Sequence, residues 1–129
     1  MVLVIESLLP VSDILFLNCS STTETINSLS AEQNALLPDG ANIVNTARGA
    51  LIAEKALADA LTPGKLASAG LDVYQTEPGG SRDISALPNT FLLPHIGSAN
   101  METRDAMGFR ALDNLDAYFA SRDPEDRVA

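Results

Sequence analysis

Apolar residues along this chain fall into two kinds of pattern. Four short runs, residues 14–17, 43–46, 69–73 and 90–93, are apolar or β-branched and are bounded by turn formers. Each is too short for a buried helix, and a run without polar alternation predicts a strand buried on both faces of its sheet. Elsewhere the apolar positions recur at helical spacing. Residues 31–37 form one such stretch, opened by the capping-box pattern Ser30-x-x-Gln33 and stopped by the turn Pro38-Asp39-Gly40. Residues 53–61 form another, with Ala56, Leu57, Ala60 and Leu61 on one stripe and Pro63-Gly64 at its end. The longest covers roughly residues 100–120, where Met107, Ala111, Leu115 and Phe119 recur with Leu112 beside them.

The predicted order is strand, helix, strand, helix, strand, loop, strand, helix. Strands alternating with helices predict an α/β fold: a parallel sheet with right-handed crossovers and helices on its faces. Residues 75–89, with Glu77-Pro78-Gly79-Gly80 and Pro88-Asn89, read as a surface loop, and residues 122–129 as a polar tail with little structure of its own. No internal repeat is visible.

Charge and composition narrow the function. The 129 residues carry 8 Lys and Arg against 17 Asp and Glu, a net charge of −9, with 5% aromatics and no Trp. An acidic surface poor in rings argues against a nucleic-acid partner. Cys19 is the only cysteine, so no internal disulfide is available and a reducing, cytoplasmic setting is the expectation. Glu6 interrupts the apolar first ten residues and no basic residue precedes them, so they are not read as a signal peptide. Nor does any segment approach the roughly 18 consecutive apolar residues of a membrane span.

In an open parallel sheet ligands bind beyond the carboxyl ends of the strands. The residues there are Asn18-Cys19-Ser20, Asn45-Thr46-Ala47-Arg48-Gly49, Asp72, and Pro94-His95-Ile96-Gly97-Ser98, with Glu77 a little farther along. His95, the only histidine, can move a proton near neutral pH, or can be a structural histidine capping the last helix. Arg48 offers a planar fork for a carboxylate or carbonyl, or a surface ion pair. Asp72 suits an amide or ribose group, or a cap. Glu77 in a Pro-Gly loop suits a solvated carboxylate. Cys19 reads as a packed strand-end thiol, since no neighbour in sequence would activate it. One His and one Cys without ligand spacing make no metal site.

Read together, three spaced motifs resemble the D-2-hydroxyacid dehydrogenase family. They are Asn45-Thr46-Ala47-Arg48-Gly49, then Gly70-Leu71-Asp72-Val73-Tyr74 with Glu77-Pro78, then Leu87-Pro88-Asn89 leading to Pro94-His95-Ile96-Gly97-Ser98-Ala99. The stretches Glu102-Thr103-Arg104-Asp105-Ala106-Met107 and Asp113-Asn114-Leu115-Asp116-Ala117-Tyr118-Phe119 look most like its glyoxylate, hydroxypyruvate and glycerate reductase branch. The resemblance implies that Arg48 binds the substrate's carboxylate and carbonyl, that His95 is the general acid, and that Glu77 orients its imidazole. It implies NAD or NADP as cofactor, with Asp72 contacting the nicotinamide carboxamide and Cys19, Thr46, Ala47, Gly97 and Ser98 lining the cofactor beside Arg48 and His95. Ser20 departs from the proline that many members have beside the adenine.

Members of that family are far longer. This chain has no G-x-G-x-x-G turn to bring a helix N-terminus to a pyrophosphate. It is therefore expected to be the second half of a Rossmann-like doubly wound sheet: residues 1–120 a partial nucleotide-binding domain, 121–129 a tail, with Met1 marking a truncated gene, a misassigned start or an expressed fragment. A half-sheet leaves an edge and an apolar face uncovered, which predicts a homo-oligomer or association with another chain. Two functions follow: an NAD(P)-dependent oxidoreductase of small 2-oxo or 2-hydroxy acids with Arg48, Glu77 and His95 catalytic, or a catalytically silent remnant or corepressor-like interaction module.

Overall fold

The computed structural model describes residues 5–77 and 80–127. The apolar start at residues 1–4, Pro78-Gly79 of the predicted loop and the last two residues of the tail lie outside them. Chain contacts divide the protein into two compact units, Met1–His95 and Ile96–Ala129.

The first unit is built on a sheet of four parallel strands in the order β1 (Ile14–Leu17), β2 (Ala41–Asn45), β3 (Leu66–Leu71), β4 (Thr90–Leu92). All four predicted strands are present. The second and third begin upstream of the predicted runs, at Ala41 and Leu66, because each starts where its preceding turn ends. In register, Leu15, Ile43, Ala69 and Thr90 form one row and Leu17, Asn45, Leu71 and Leu92 the next, and both rows face the core. On that side lie α2 (Ala31–Leu36) and α3 (Glu54–Leu61), packed on each other, with α1 (Ile5–Leu8) and the 3-10 turn Leu9–Val11 leading into β1. Leu9, Leu29, Ile43, Leu51, Leu57 and Leu66 are fully buried among them.

The edge strands are not buried on both faces. Phe16 pairs with Val44, Val44 with Gly70 and Gly70 with Phe91, a row on the face opposite the helices. Phe16 is 60% and Phe91 68% exposed, and Ile14 is exposed beside them. A continuous apolar run marks a strand without saying whether anything covers its second face.

Two details of the loops also differ from expectation. Gln33 does not reach back to a backbone amide as a capping box would: the Ser30 hydroxyl meets the Gln33 side chain at 2.5 Å and accepts weakly from the Glu32 amide. Residues 75–89 are not merely surface loop, for they contain α4 (Arg82–Ser85), capped by Ser81 and burying Ile84. Four residues cannot sustain a helix alone. Burial of Ile84, of order 1.5–3 kcal/mol, anchors this one onto α3 and β4.

In the second unit the predicted long helix is α5 (Met101–Phe119), with Asn100 accepting from the Thr103 amide at 2.8 Å as its N-cap. Its apolar residues Met107, Leu112, Leu115 and Phe119 are exposed. The tail is less free than its composition suggests. Arg110 forms ion pairs with Glu125 and Asp126, Asn114 bonds Asp126, and the Arg122 amide donates to Ala117.

Candidate active site

The carboxyl ends of the parallel strands deliver Arg48, Glu77 and His95 to one rim of the first unit. Arg48 follows β2 through a turn that Asn45 organises. This asparagine is fully buried; its Nδ2 donates to the Arg48 carbonyl at 2.9 Å and its Oδ1 accepts from the Ala47 amide at 3.1 Å. The guanidinium is exposed, with one donor on the Ala47 carbonyl at 2.6 Å. Among the described residues it has no acidic partner, so the ion-pair reading of Arg48 does not hold.

Glu77 and His95 form a pair. Oε2 of Glu77 lies 2.7 Å from Nδ1 of His95, and Oε1 accepts from the Tyr74 amide at 3.0 Å. The hydrogen bond to His95 first, and the Tyr74 amide second, hold the Glu77 carboxyl below the ordinary glutamate range. Glu77 is thus not a merely solvated carboxylate. His95 sits at φ +56°, a left-handed conformation uncommon for a side-chain-bearing residue, and such strain collects at functional sites. It does not cap the last helix, a role that falls to Asn100.

Tyr74 ties the two halves of the pair together. Its hydroxyl is shared between the carbonyls of Leu93, at 2.7 Å, and Leu71, at 3.2 Å, so it bridges the ends of β3 and β4. Burial, with the Asp72 charge adding to it, pushes the Tyr74 phenol up and keeps it a donor.

Two adjoining recesses open on this rim. One is lined by Arg48, Tyr74, Gln75, Glu77 and His95, and the other by Asn18, Cys19, Ser20, Ala47 and Arg48; Ser21 and Arg48 belong to both. Cys19 is exposed in the second recess, not packed at a strand end. Thr46 is exposed beside Ala47, and Asp72 is buried at the end of β3, its amide bonded to the Asn45 carbonyl at 3.0 Å. Gly97 and Ser98 lie in the second unit, in the turn closed by the Ala99 amide on the Ile96 carbonyl. Among the described residues no three His, Cys, Asp or Glu gather as a metal site.

One participant was not legible in the sequence. Glu54, the first residue of α3, is only 7% exposed and accepts from the Gln75 amide at 2.7 Å. An acidic residue in the first helical turn is ordinary, and only its burial sets it apart.

Comparison with known proteins gives the family and the fold. Residues 2–97 match the family model described as D-isomer specific 2-hydroxyacid dehydrogenase, NAD binding domain. The glycerate dehydrogenase of Hyphomicrobium methylovorum is 44% identical over 92% of this chain and 37% of its own length. Glyoxylate reductase 1 of Saccharomyces cerevisiae is 41% identical over 84% of this chain and 31% of its own. Among solved structures, the NADPH-dependent glyoxylate/hydroxypyruvate reductase of Sinorhizobium meliloti, in complex with NADP and malonate, superposes with a TM-score of 0.85 at 35% identity, covering 89% of this chain and 36% of that one. The chain thus spans about a third of the length of these relatives. No helix among the described residues is long and apolar enough to cross a membrane. With its parallel half-sheet, its motifs and a match over most of its length, the chain belongs to the D-isomer specific 2-hydroxyacid dehydrogenase family, to the NAD-binding domain.

Proposed function

We propose that this chain carries the proton-transfer and carboxylate-binding groups of an NAD(P)-dependent reductase of small 2-oxo acids of the glyoxylate or hydroxypyruvate kind, acting reversibly. The observation that carries the reading is the Glu77–His95 pair at 2.7 Å, in the recess that Arg48 also lines. Reducing a 2-oxo acid builds negative charge on the carbonyl oxygen, which a fixed cation and a positioned proton donor stabilise. Arg48 keeps guanidinium N–H groups for the substrate carboxylate and carbonyl. His95, held through Nδ1 by Glu77, presents Nε2–H to the carbonyl oxygen and gives up that proton as the alcohol forms. The imidazole is then neutral with its remaining proton on Nδ1, facing the carboxylate. In the oxidative direction Nε2 takes the hydroxyl proton back.

The bound nicotinamide supplies or accepts the hydride. Cys19 and Ala47 line the recess beside Arg48, which supports placing that end of a dinucleotide there, and Asp72 and Thr46 are assigned to it on their motifs. Gly97 and Ser98 are assigned to the cofactor on their motif. The second reading is a catalytically silent interaction module, which the exposed rings of Phe16 and Phe91 on the open sheet face support. A cytoplasmic setting is part of the proposal and rests on the single cysteine.

The row Phe16, Val44, Gly70, Phe91 supports self-association. A β-carbon built on Gly70 meets nothing within 4 Å, so this face carries both protruding rings and a notch between them. A surface holding knob and hole together is complementary to its own copy across a two-fold axis.

The test is a titration of this chain with NADH and NADPH, followed by nicotinamide fluorescence and by oxidation on addition of glyoxylate or hydroxypyruvate. The same assay is run on a chimera in which the chain replaces the matching segment of the Hyphomicrobium glycerate dehydrogenase. Turnover by either supports the reading. A folded chimera that binds NADH and reduces neither acid overturns it in favour of the interaction module.

A further inference from the structure

The geometry points to Glu54 as a positioning residue for the proton-donating pair, acting through the backbone of Tyr74 and Gln75; the inference rests on the proposed roles of Glu77 and His95. A carboxylate is costly to bury unless it is hydrogen-bonded. On the same helix Lys55 and Asp59 pair outward in solvent, as an amphipathic helix predicts, while Glu54 turns inward to 7% exposure. What it meets there is the amide of Gln75, at 2.7 Å. The helix N-terminus, where Ala53 supplies no capping side chain, favours the negative charge at that position.

Gln75 is held at its other end too. Its Nε2 donates to the Ile52 carbonyl at 2.8 Å and to Oδ1 of Asn27 at 3.0 Å. Asn27 is itself fixed, with its amide on the Ala50 carbonyl at 2.8 Å. The neighbouring amide, that of Tyr74, holds Oε1 of Glu77, whose Oε2 faces His95. Two successive amides thus bind two carboxylates, one buried and one at the site. With Gln75 pinned, the direction of the Tyr74 N–H is set, and with it the direction in which Glu77 offers its second oxygen.

His95 is the only histidine of the chain, so its ring nitrogens report on this arrangement without assignment. In a long-range proton–nitrogen spectrum of the nitrogen-15 labelled chain at about pH 9, above the ordinary imidazole range, Glu77 keeps the imidazole proton on Nδ1. Glu77→Ala moves it toward Nε2, the usual preference of a free imidazole. Glu54→Ala is expected to follow Glu77→Ala at least halfway, and Glu54→Gln, whose carbonyl oxygen still accepts from Gln75, to keep the parent spectrum. Glu54→Asp retains the charge on an arm one methylene too short, and serves if Glu54→Ala does not fold; it is expected to show the same shift. A folded Glu54→Ala or Glu54→Asp chain with the parent tautomer overturns the positioning role while leaving the Glu77–His95 pair in place. If Glu77→Ala itself leaves the tautomer unchanged, the pair is not what holds His95, and both this inference and the proton-donor reading fall.

Discussion

Gly49 lies against the backbone of Tyr74 so closely that a β-carbon on Gly49 would fall 1.9 Å from the Tyr74 carbonyl carbon. No side chain fits there without moving the strand end that carries the Tyr74 amide. The glycine that ends the Thr-Ala-Arg-Gly motif therefore couples the Arg48 turn to the Glu77 turn by close approach. Gly49→Ala is expected to destabilise the fold by about 1–3 kcal/mol, the usual cost of overpacking, and to shift the His95 ring resonances. A melt and ring spectrum identical to the parent's would show that the two turns are not coupled through this contact.

The Glu77 carboxyl titrates below the ordinary glutamate range, chiefly because it is bonded to His95. A carboxyl depressed in the folded state contributes stability above its unfolded value, and that contribution is lost as pH falls through the folded value. The Glu77–His95 bond is therefore expected to survive mild acid and to fail only below the usual carboxylate range. Following the Glu77 side-chain carbon shift with pH checks this: His95→Gln should carry the midpoint back upward, and an unmoved midpoint would remove His95 as the cause.

Replacing His95 by Gln in the chimera removes the proposed proton donor and leaves Arg48 in place. Turnover of glyoxylate is expected to fall about 10²–10⁴-fold, the range general acid catalysis supplies, with NADH affinity nearly unchanged. Turnover equal to the parent's would sink the acid role.

On the uncovered face, Phe16→Lys together with Phe91→Lys places charges where a second copy would dock. Sedimentation at micromolar concentration should show the parent associating and the double variant as monomer, with similar melting because neither ring is part of the core. A monomeric parent with a cooperative melt would rule out self-association through this face.

The sheet was legible because apolar runs mark strands, whereas Arg48, Glu77 and His95 were drawn together only by the resemblance of their motifs to a family: read singly, Glu77 was a solvated carboxylate and His95 as readily a helix cap. Apolar runs alone read the strands of Phe16 and Phe91 as buried on both faces, since exposure depends on what packs elsewhere; an uncovered apolar face was expected only from the half-sheet that the resemblance implied. The short α4 carries too few residues to show a period, and its formation is decided by the pocket that takes Ile84. Glu54 was hidden for a related reason. Its amphipathic helix has charges on either side, and only the path of a loop 21 residues away in sequence turns one of them into a buried acceptor.

The last strand has a bearing on what holds His95 within reach of Glu77. Only Thr90, Phe91 and Leu92 pair with β3, and a slip of one place would carry His95 about 3.3 Å along the strand, out of reach of Glu77. The alignment is locked at the opposite end, where the Thr90 hydroxyl donates to the Leu87 carbonyl at 2.9 Å and the Asn89 amide group bonds the carbonyls of Leu61 and Ala67. The place of His95 beside Glu77 is therefore fixed from the Asn89-Thr90 latch, a strand's length away, and a change at that latch reaches the pair through the register of three residues.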